Sequence, residues 1–585
     1  MATFEEILSR IARGEGATSS ELVPYLSLGG RAHRENVNTL LAGAYAESGR
    51  AGDLAHARVF VRRAWLLGRF PPALLPLYTR IHAALGDVAG IRDAYKRAGI
   101  EATARGDLAE ALRHFDAWQY ADFYFSNLDR YEYDFDILNC LDGLARPHRL
   151  APHPRAGLRA GGKIRVAYLV KGVTEVGSVL VKINLLFARL HDRARVEPLF
   201  FAPESERAVL DSEAGREHLR LFESHGCKLT TGPNVGGARD RLLAVARSIH
   251  DARPDVLITS AALAQFEHYF IAALRPAPFV VGLVQGPPQQ FAPPSLDWSV
   301  AWSGHTLIDC PVDCVRVPLR GELAEREKIT PYDRSELGIP EGALVVASAG
   351  RHVKFQEPAF WRAVLDLLEQ FPHVHYLVLG PEQSQISFLP PMLSPETGPR
   401  VHFLSWRDDS YLRALCLADV LIDTFPSGGG AVLLDALALG IPPVSFENNY
   451  MRLFDQADWS LADEFIKIPE LVVPRGDFGR MKSAVARLID DEEFRRDVTL
   501  RARAYTLETR ANPALSVREC EDAYLHFIEQ KLSGRAAADE REAEVEGLAR
   551  RRRPPPPSVP AWVGWTARQL KRALRFGESV LDRVA

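Results

Sequence analysis

Over its 585 residues the chain is 47% hydrophobic, 25% charged and 9% aromatic, which excludes a disordered or fibrous protein. Lys and Arg number 71 against 75 Asp and Glu, and the resulting net charge of -4 gives no support to a general nucleic-acid binder. No apolar run reaches the ~18 residues that a membrane-spanning helix needs, and Met1-Ala2-Thr3-Phe4-Glu5-Glu6 lacks the basic start and apolar core of a secretory signal.

Residues 1–150 read as an all-helical domain. Gly52-Asp53-Leu54 recurs 34 residues on as Gly86-Asp87-Val88, the tetratricopeptide period, and again less regularly as Gly106-Asp107-Leu108. Such helix pairs bury their apolar faces only against neighbours and leave a groove. Two readings follow: a polypeptide-binding surface, or a helical cap on the rest of the chain. Residues 133–162 are expected to form the boundary: 146–155 are rich in Pro and Arg and Gly161-Gly162 closes the segment, so a linker is expected there.

From residue 163 to 320 short apolar runs alternate with helical stretches. Strands are expected over 164–170, 196–201, 255–259 and 279–284, with a helix over 179–191. A charged stretch at 321–328 precedes a second run, residues 335–531. Its strands are expected at 344–348, 376–379, 401–404, 420–422 and 443–446. This alternation implies two parallel, doubly wound sheets, α/β Rossmann-like domains facing a cleft, with ligands at the carboxyl ends of the strands.

Two elements at those strand ends carry chemistry. The strand at 344–348 runs into Ala349-Gly350-Arg351-His352-Val353-Lys354. Gly350 admits a close backbone approach, and Arg351 and Lys354 place cations beside it, which suits a diphosphate that gains charge as its bond breaks. The strand at 420–422 runs into Asp423-Thr424-Phe425-Pro426-Ser427-Gly428-Gly429-Gly430, where three glycines open a helix and its N–H groups form an anion site. Asp435, five residues into that helix, is placed to accept hydrogen bonds from a ribose diol. The two elements together point to a nucleotide diphosphate. There is no G-x4-G-K-[ST] P-loop, and the first Rossmann unit lacks G-x-G-x-x-G.

These residues resemble a family. The two halves with these loops look like a GT-B glycosyltransferase, and more narrowly like the O-GlcNAc transferase/SPINDLY-like family, which also places tetratricopeptide repeats in front. The likeness rests on Ala273-Leu274-Arg275-Pro276-Ala277-Pro278, Gln285-Gly286-Pro287, Asp297-Trp298 and the run from Leu417 to Thr424 followed by the glycine turn and Asp435. The chain departs from the family at Gly430-Ala431-Val432, where a His-Thr-Thr-like stretch is usual. It departs again at Val173 to Ser178, where the family has a histidine. Phe425-Pro426-Ser427-Gly428 also resembles the bacterial cytoplasmic N-glycosyltransferases of adhesins.

The resemblance implies transfer of a sugar from a nucleotide-sugar, a UDP-sugar favoured, to a Ser/Thr hydroxyl or Asn amide of a polypeptide held by the helical repeats. It implies an inverting reaction with no metal ion and no further cofactor. Arg351, Lys354 and the Ser427, Gly428, Gly429 and Gly430 segment are then expected to meet the diphosphate. Gln285 and Gly286 are expected to touch donor or acceptor. Glu175, in the loop after the first strand, and His268 are the candidates for the catalytic base. A glycan- or lipid-directed enzyme of the same fold and a non-catalytic repeat scaffold are the alternatives.

Residues 532–585 form a separate tail. Arg550 to Arg553 meets Pro554 to Pro557, a stiff basic spacer. Beyond it Trp562, Trp565, Leu570 and Leu574 recur near helical spacing, with Arg568, Lys571, Arg572 and Arg575 largely opposite. That composition suits an amphipathic helix over 560–585 resting on anionic lipid or on a protein partner. A cytoplasmic protein is expected, with this tail the candidate for contact with the inner face of the membrane. The six cysteines are scattered, as in a reduced compartment, and Cys310 and Cys314 have no zinc-finger partner spacing.

Overall fold

A computed structural model describes residues 3–532 apart from 28, 49, 69–71, 86, 126–133, 152–162, 261–265, 285–295, 302–313, 319, 387, 406–409, 426, 427, 429 and 448–460. The tail expectations therefore lie outside the described residues, as do Gln285, Gly286, Ser427 and Gly429.

The front is helical: α1 (Phe4–Ala12), α2 (Ser19–Ser27), α3 (Arg31–Glu47), α4 (Ala51–Leu67), α5 (Leu75–Ala84), α6 (Val88–Ala104), α7 (Leu108–Phe125) and α8 (Phe135–Ala145). Local signals set the ends. Thr3 and Glu6 form a reciprocal capping box on α1, and the Asp87 carboxylate accepts the Gly90 N–H at the start of α6. Ile7, Leu41, Val61, Trp65, Tyr78, Ile81 and Ala98 share one core within α1–α6. A second core crosses the linker. In it Leu112 and Phe115 of α7 and Leu138 and Leu141 of α8 are buried with Ala167, Leu257, Phe266 and Phe270 of the α/β body. The last two helices of the front thus cover one face of the first sheet, as a cap does, while α1–α6 carry their own core.

The first sheet comprises β1 (Ile164–Leu169), β2 (Val196–Ser205), β3 (Leu229–Gly232), β4 (Val256–Ser260), β5 (Phe279–Val284), β6 (Trp298–Ala301) and β7 (Cys314–Arg316). Its spatial order is β3-β2-β1-β4-β5-β6-β7, with every pair parallel. Its helices are α9 (Val179–Leu190), α10 (Glu206–Asp211), α11 (Glu213–Ser224), α12 (Ala238–Asp251) and α13 (Phe266–Ala273). The second sheet comprises β8 (Leu344–Ala349), β9 (Val374–Gly380), β10 (Val401–Ser405), β11 (Val420–Ile422), β12 (Pro443–Phe446) and β13 (Val472–Val473). It runs β10-β9-β8-β11-β12-β13, again all parallel. Its helices are α14 (Pro358–Gln370), α15 (Ser410–Leu415), α16 (Gly430–Ala438), α17 (Leu461–Ile466), α18 (Phe478–Asp490), α19 (Glu492–Arg510) and α20 (Pro513–Leu532).

Both orders are the doubly wound order, so each sheet has one point where the winding reverses: between β1 and β4, and between β8 and β11. Ligands of such sheets bind in the crevice at the carboxyl ends of those strands. Most of the expected strands formed as apolar runs buried on both faces, as in Val345, Val346, Ala347 and Ser348 of β8, while β10, at the edge of its sheet, is only half-buried along its length.

The halves are tied together by α20, which follows the second sheet in the chain and packs on the first. Phe527 stacks on Trp298 with ring centroids 4.9 Å apart and meets Phe279 edge-on at 5.6 Å. The buried Glu521 carboxylate accepts from His191 at 2.7 Å, from the Asp192 N–H at 2.9 Å and from Arg195 at 3.0 Å. A second buried carboxylate, Glu464 of α17, lies 3.0 Å from Arg316 of the first half and 3.2 Å from Arg510 of the second. Among the described residues no helix is long and apolar enough to cross a membrane.

Candidate functional site

The residues singled out from sequence fall at the two reversal points. In the second half, β8 ends at Ala349, and Gly350 turns the chain into a short 3-10 turn, His352–Phe355. Three contacts fix this turn. The Gly350 N–H donates to the Leu379 carbonyl at 3.0 Å, the Trp361 indole N–H donates to the Phe355 carbonyl at 2.8 Å, and the Phe355 ring is fully buried. A Cβ at position 350 would sit 3.2 Å from Lys354 Cδ and 3.3 Å from Thr424 Cγ2, so glycine is what lets the two loops close on each other.

Lys354 joins the two sequence elements. Its Nζ donates to the Gly428 carbonyl at 2.7 Å, across 74 residues of chain. The ammonium end is desolvated although the stem is half-exposed. Burial pushes its pKa down to about 8, Asp423 opposes that fall and Arg351 adds to it. Asp423 itself is buried at the end of β11. Its carboxylate accepts from Ser445 Oγ at 2.6 Å and from the Thr424 N–H at 2.9 Å. Beneath it, Ser348 Oγ donates to the Ile422 carbonyl and accepts from the Tyr376 hydroxyl at 2.7 Å, stitching the ends of β8, β9 and β11 together.

Gly430 begins α16, so the helix N-terminus lies beside Gly428 and Lys354. A side chain at position 430 would meet only ordinary contact with Phe465 at 3.6 Å. Asp435 is on the same helix. Its Oδ2 accepts from the Tyr411 hydroxyl at 3.1 Å. Burial raises its pKa to about 6 against the pull of that hydroxyl and of the Lys182 ammonium. Lys182 belongs to the first turns of α9, in the other half, so Asp435 faces across the cleft. Sequence reading did not find Tyr411, Asp423 or Lys182 as partners in this site. Asp423 carried a signal, as the acid ending an apolar strand, but Tyr411 and Lys182 are brought in only by tertiary packing.

In the first half, β1 ends in a tightly held loop. Gly172 adopts φ +76°, a left-handed conformation, and a Cβ there would lie 2.7 Å from Ser178 Oγ. The Gly172 and Val173 N–H groups donate to Glu204 Oε1 at 2.9 and 3.2 Å, and the His218 ring donates to the Val173 carbonyl at 2.7 Å. Glu175 sits on this loop, exposed, with its N–H bonded to the Gly172 carbonyl at 3.0 Å. His268 lies at the other side of the reversal point, near the start of α13. It is 1% exposed, and neither ring nitrogen has a partner. Burial, with Lys171 nearby, pushes its pKa down to about 3, so the ring is neutral. The cation loop, the glycine turn and Asp435 are thus gathered at one crevice, while Glu175 and His268 belong to the opposing one.

No family model and no curated protein matches the chain. Among solved structures it is similar to a mutant of the O-GlcNAc transferase of Thermobaculum terrenum. The TM-score is 0.56 and the identity 16%, over 91% of this chain and 99% of that one. The fold is GT-B. A GT-B core explains why the two reversal points matter together, since each half contributes one wall of the cleft. The GT-B core also superposes on a lipopolysaccharide outer core galactosyltransferase and on the glycotransferase of kitacinnamycin. Those matches have TM-scores of 0.42 and 0.39 at 13% and 14% identity, each over 62% of this chain and 99% of the other, and carry no further argument.

Proposed function

We propose that the protein is a glycosyltransferase that moves a sugar from a nucleotide-sugar, a UDP-sugar favoured, to a Ser/Thr hydroxyl or Asn amide of a polypeptide. The observation that carries this reading is the Lys354–Gly428 contact, which puts a buried cation, a glycine turn and a helix N-terminus at one point of the second crevice. A diphosphate there meets the Lys354 ammonium, Arg351 and the backbone N–H groups around Gly430. Those groups are set before charge develops on the leaving oxygen, so little reorganisation is needed as the bond breaks. The ribose diol hydrogen-bonds to Asp435.

The reaction is inverting and needs no metal ion. The acceptor oxygen or nitrogen bonds to the anomeric carbon from the face opposite the diphosphate. The bond to the diphosphate breaks with its electron pair leaving on the phosphate oxygen, and the acceptor proton passes to a base in the first crevice. Residues 560–585 hold the enzyme against anionic membrane. Incubation of a candidate acceptor protein with a panel of nucleotide-sugars, followed by intact-mass measurement, tests the transfer. A gain of one sugar mass supports it, and donor consumption with only a lipid or glycan product contradicts it. For the tail, deletion of 554–585 abolishes co-sedimentation with anionic liposomes, and unchanged binding refutes that part.

A further inference from the structure

The first crevice contains an acid that comes from neither sheet. Asp116 is on α7 of the helical front. Phe115, beside it, packs against Phe266 with ring centroids 5.7 Å apart, so α7 is seated on the start of α13. One Asp116 carboxylate oxygen accepts the Phe266 N–H, which belongs to the first residue of that helix after β4. Lys171, in the loop after β1, is close enough to act on both Asp116 and His268. Asp116 is therefore held between the ends of β1 and β4, the reversal point where a doubly wound sheet takes its ligand. Its Oδ1 is buried and has no hydrogen-bond partner.

That orphan is not isolated. Glu204 Oε2, Thr259 Oγ1 and both His268 nitrogens, all buried in the same end of the first sheet, also lack partners. Thr259 is on β4, two residues beyond Leu257 and so on the same face of the sheet. Leu257 shares the core that joins the sheet to α7, which places Thr259 toward α7 as well. Buried polar groups are normally satisfied, and several unsatisfied at one place offer their donors and acceptors to a bound group or to water.

We propose that Asp116 is a catalytic residue contributed by the helical front, whose free carboxylate oxygen takes the proton of the acceptor hydroxyl or amide. The proposal rests on the glycosyltransferase reading and names the residue that reading leaves open. As the acceptor oxygen or nitrogen bonds to the anomeric carbon, its proton moves to Asp116 Oδ1 and the electron pair of the broken bond leaves on the diphosphate. The charged groups that act on Asp116 are Lys171 from the loop after β1 and Glu267 from α13. Arg241 of α12 bonds Glu267 at 2.9 Å, and Glu204 closes the end of β2. Burial raises the Asp116 pKa to about 6, with Lys171 and the Phe266 N–H opposing that rise, so the carboxylate is the dominant form at pH 7.

A purely structural Asp116 would serve as the anionic cap of α13, so the test separates the two roles. Asp116→Asn retains an oxygen for the Phe266 N–H but is no base. In the full chain it is expected to bind UDP as the wild type does and to transfer sugar about 100-fold more slowly or worse. With donor saturating, so that Asp435 is already engaged, the acid limb of kcat/KM for the acceptor, which in the wild type rises through about pH 6, is expected to vanish. Asp116→Glu restores part of the rate. Wild-type transfer by Asp116→Asn overturns the proposal, and so does a slow variant that keeps the acid limb. If the wild type itself transfers no sugar from any donor, the glycosyltransferase reading fails and this one falls with it, and that failure is visible without any variant.

Discussion

At the scale of single residues the second crevice depends on one lysine. Lys354 has an ammonium with little water around it, one carbonyl partner and a pKa near 8. A bound diphosphate supplies negative charge to that ammonium, so the nucleotide binds the protonated form more tightly. Affinity for UDP is therefore expected to fall as pH rises from 7 through about 8, as titration calorimetry across that range can show. Lys354→Arg, which stays charged, should remove the fall, and a flat profile in the wild type contradicts the assignment. The loop of Gly350 and Lys354 was legible in sequence because a glycine and spaced cations directly after an apolar strand stand out from the run, and the fold brings that loop to Gly428. Asp116 was not, because nothing in the helical sequence around His114 to Trp118 tells which α7 residue meets a strand end more than 50 positions further on.

At the scale of elements, the strands legible in sequence are mostly the buried central ones, with the half-buried edge strand β10 the exception. β3, β6, β7 and β13 have four residues or fewer and so leave little pattern: in β3 Thr230 and Thr231 are only half-buried, whereas β6 is buried at Trp298, Ser299 and Val300 but too short to stand out. The helix α20 was read only as the end of the second half, yet its aromatic residues belong to the first. Phe527 is 2% exposed between Trp298 and Phe279. Truncating a buried Phe to Ala costs about 3–5 kcal/mol. Phe527→Ala is expected to lower the melting temperature by several degrees and to loosen the contact between halves, seen as faster proteolysis near residues 318–330. A melting temperature within one degree of the wild type would show that α20 does not bear on the first half.

At the scale of the whole molecule, the Pro-rich segment after residue 146 is a break in the chain but not in the packing. Leu112, Phe115, Leu138 and Leu141 share a core with the first sheet, whereas α1–α5, with Ala94 and Ala98 of α6, draw on a core of their own, and Ala102 of α6 joins the first. A chain beginning at Asp87 should therefore stay soluble and folded by circular dichroism, while one beginning at residue 151 should aggregate through the uncovered sheet face. Equal solubility of the two contradicts this division. The same seating of α7 on the sheet is what brings a front residue to the first crevice, so the helical domain is part of the cleft's construction as well as a surface beside it. The two reversal points, one with a cation and glycine turn and one with two acids that each keep one oxygen without a partner, give the cleft two chemically different walls. The most direct test of that account is calorimetric titration of UDP into the wild type and into Lys354→Ala. Saturable binding to the wild type is expected, with a loss of about tenfold or more in a variant whose melting temperature is unchanged. Equal affinity in the variant, or no binding of UDP, GDP, CMP or dTDP to the wild type, would contradict it.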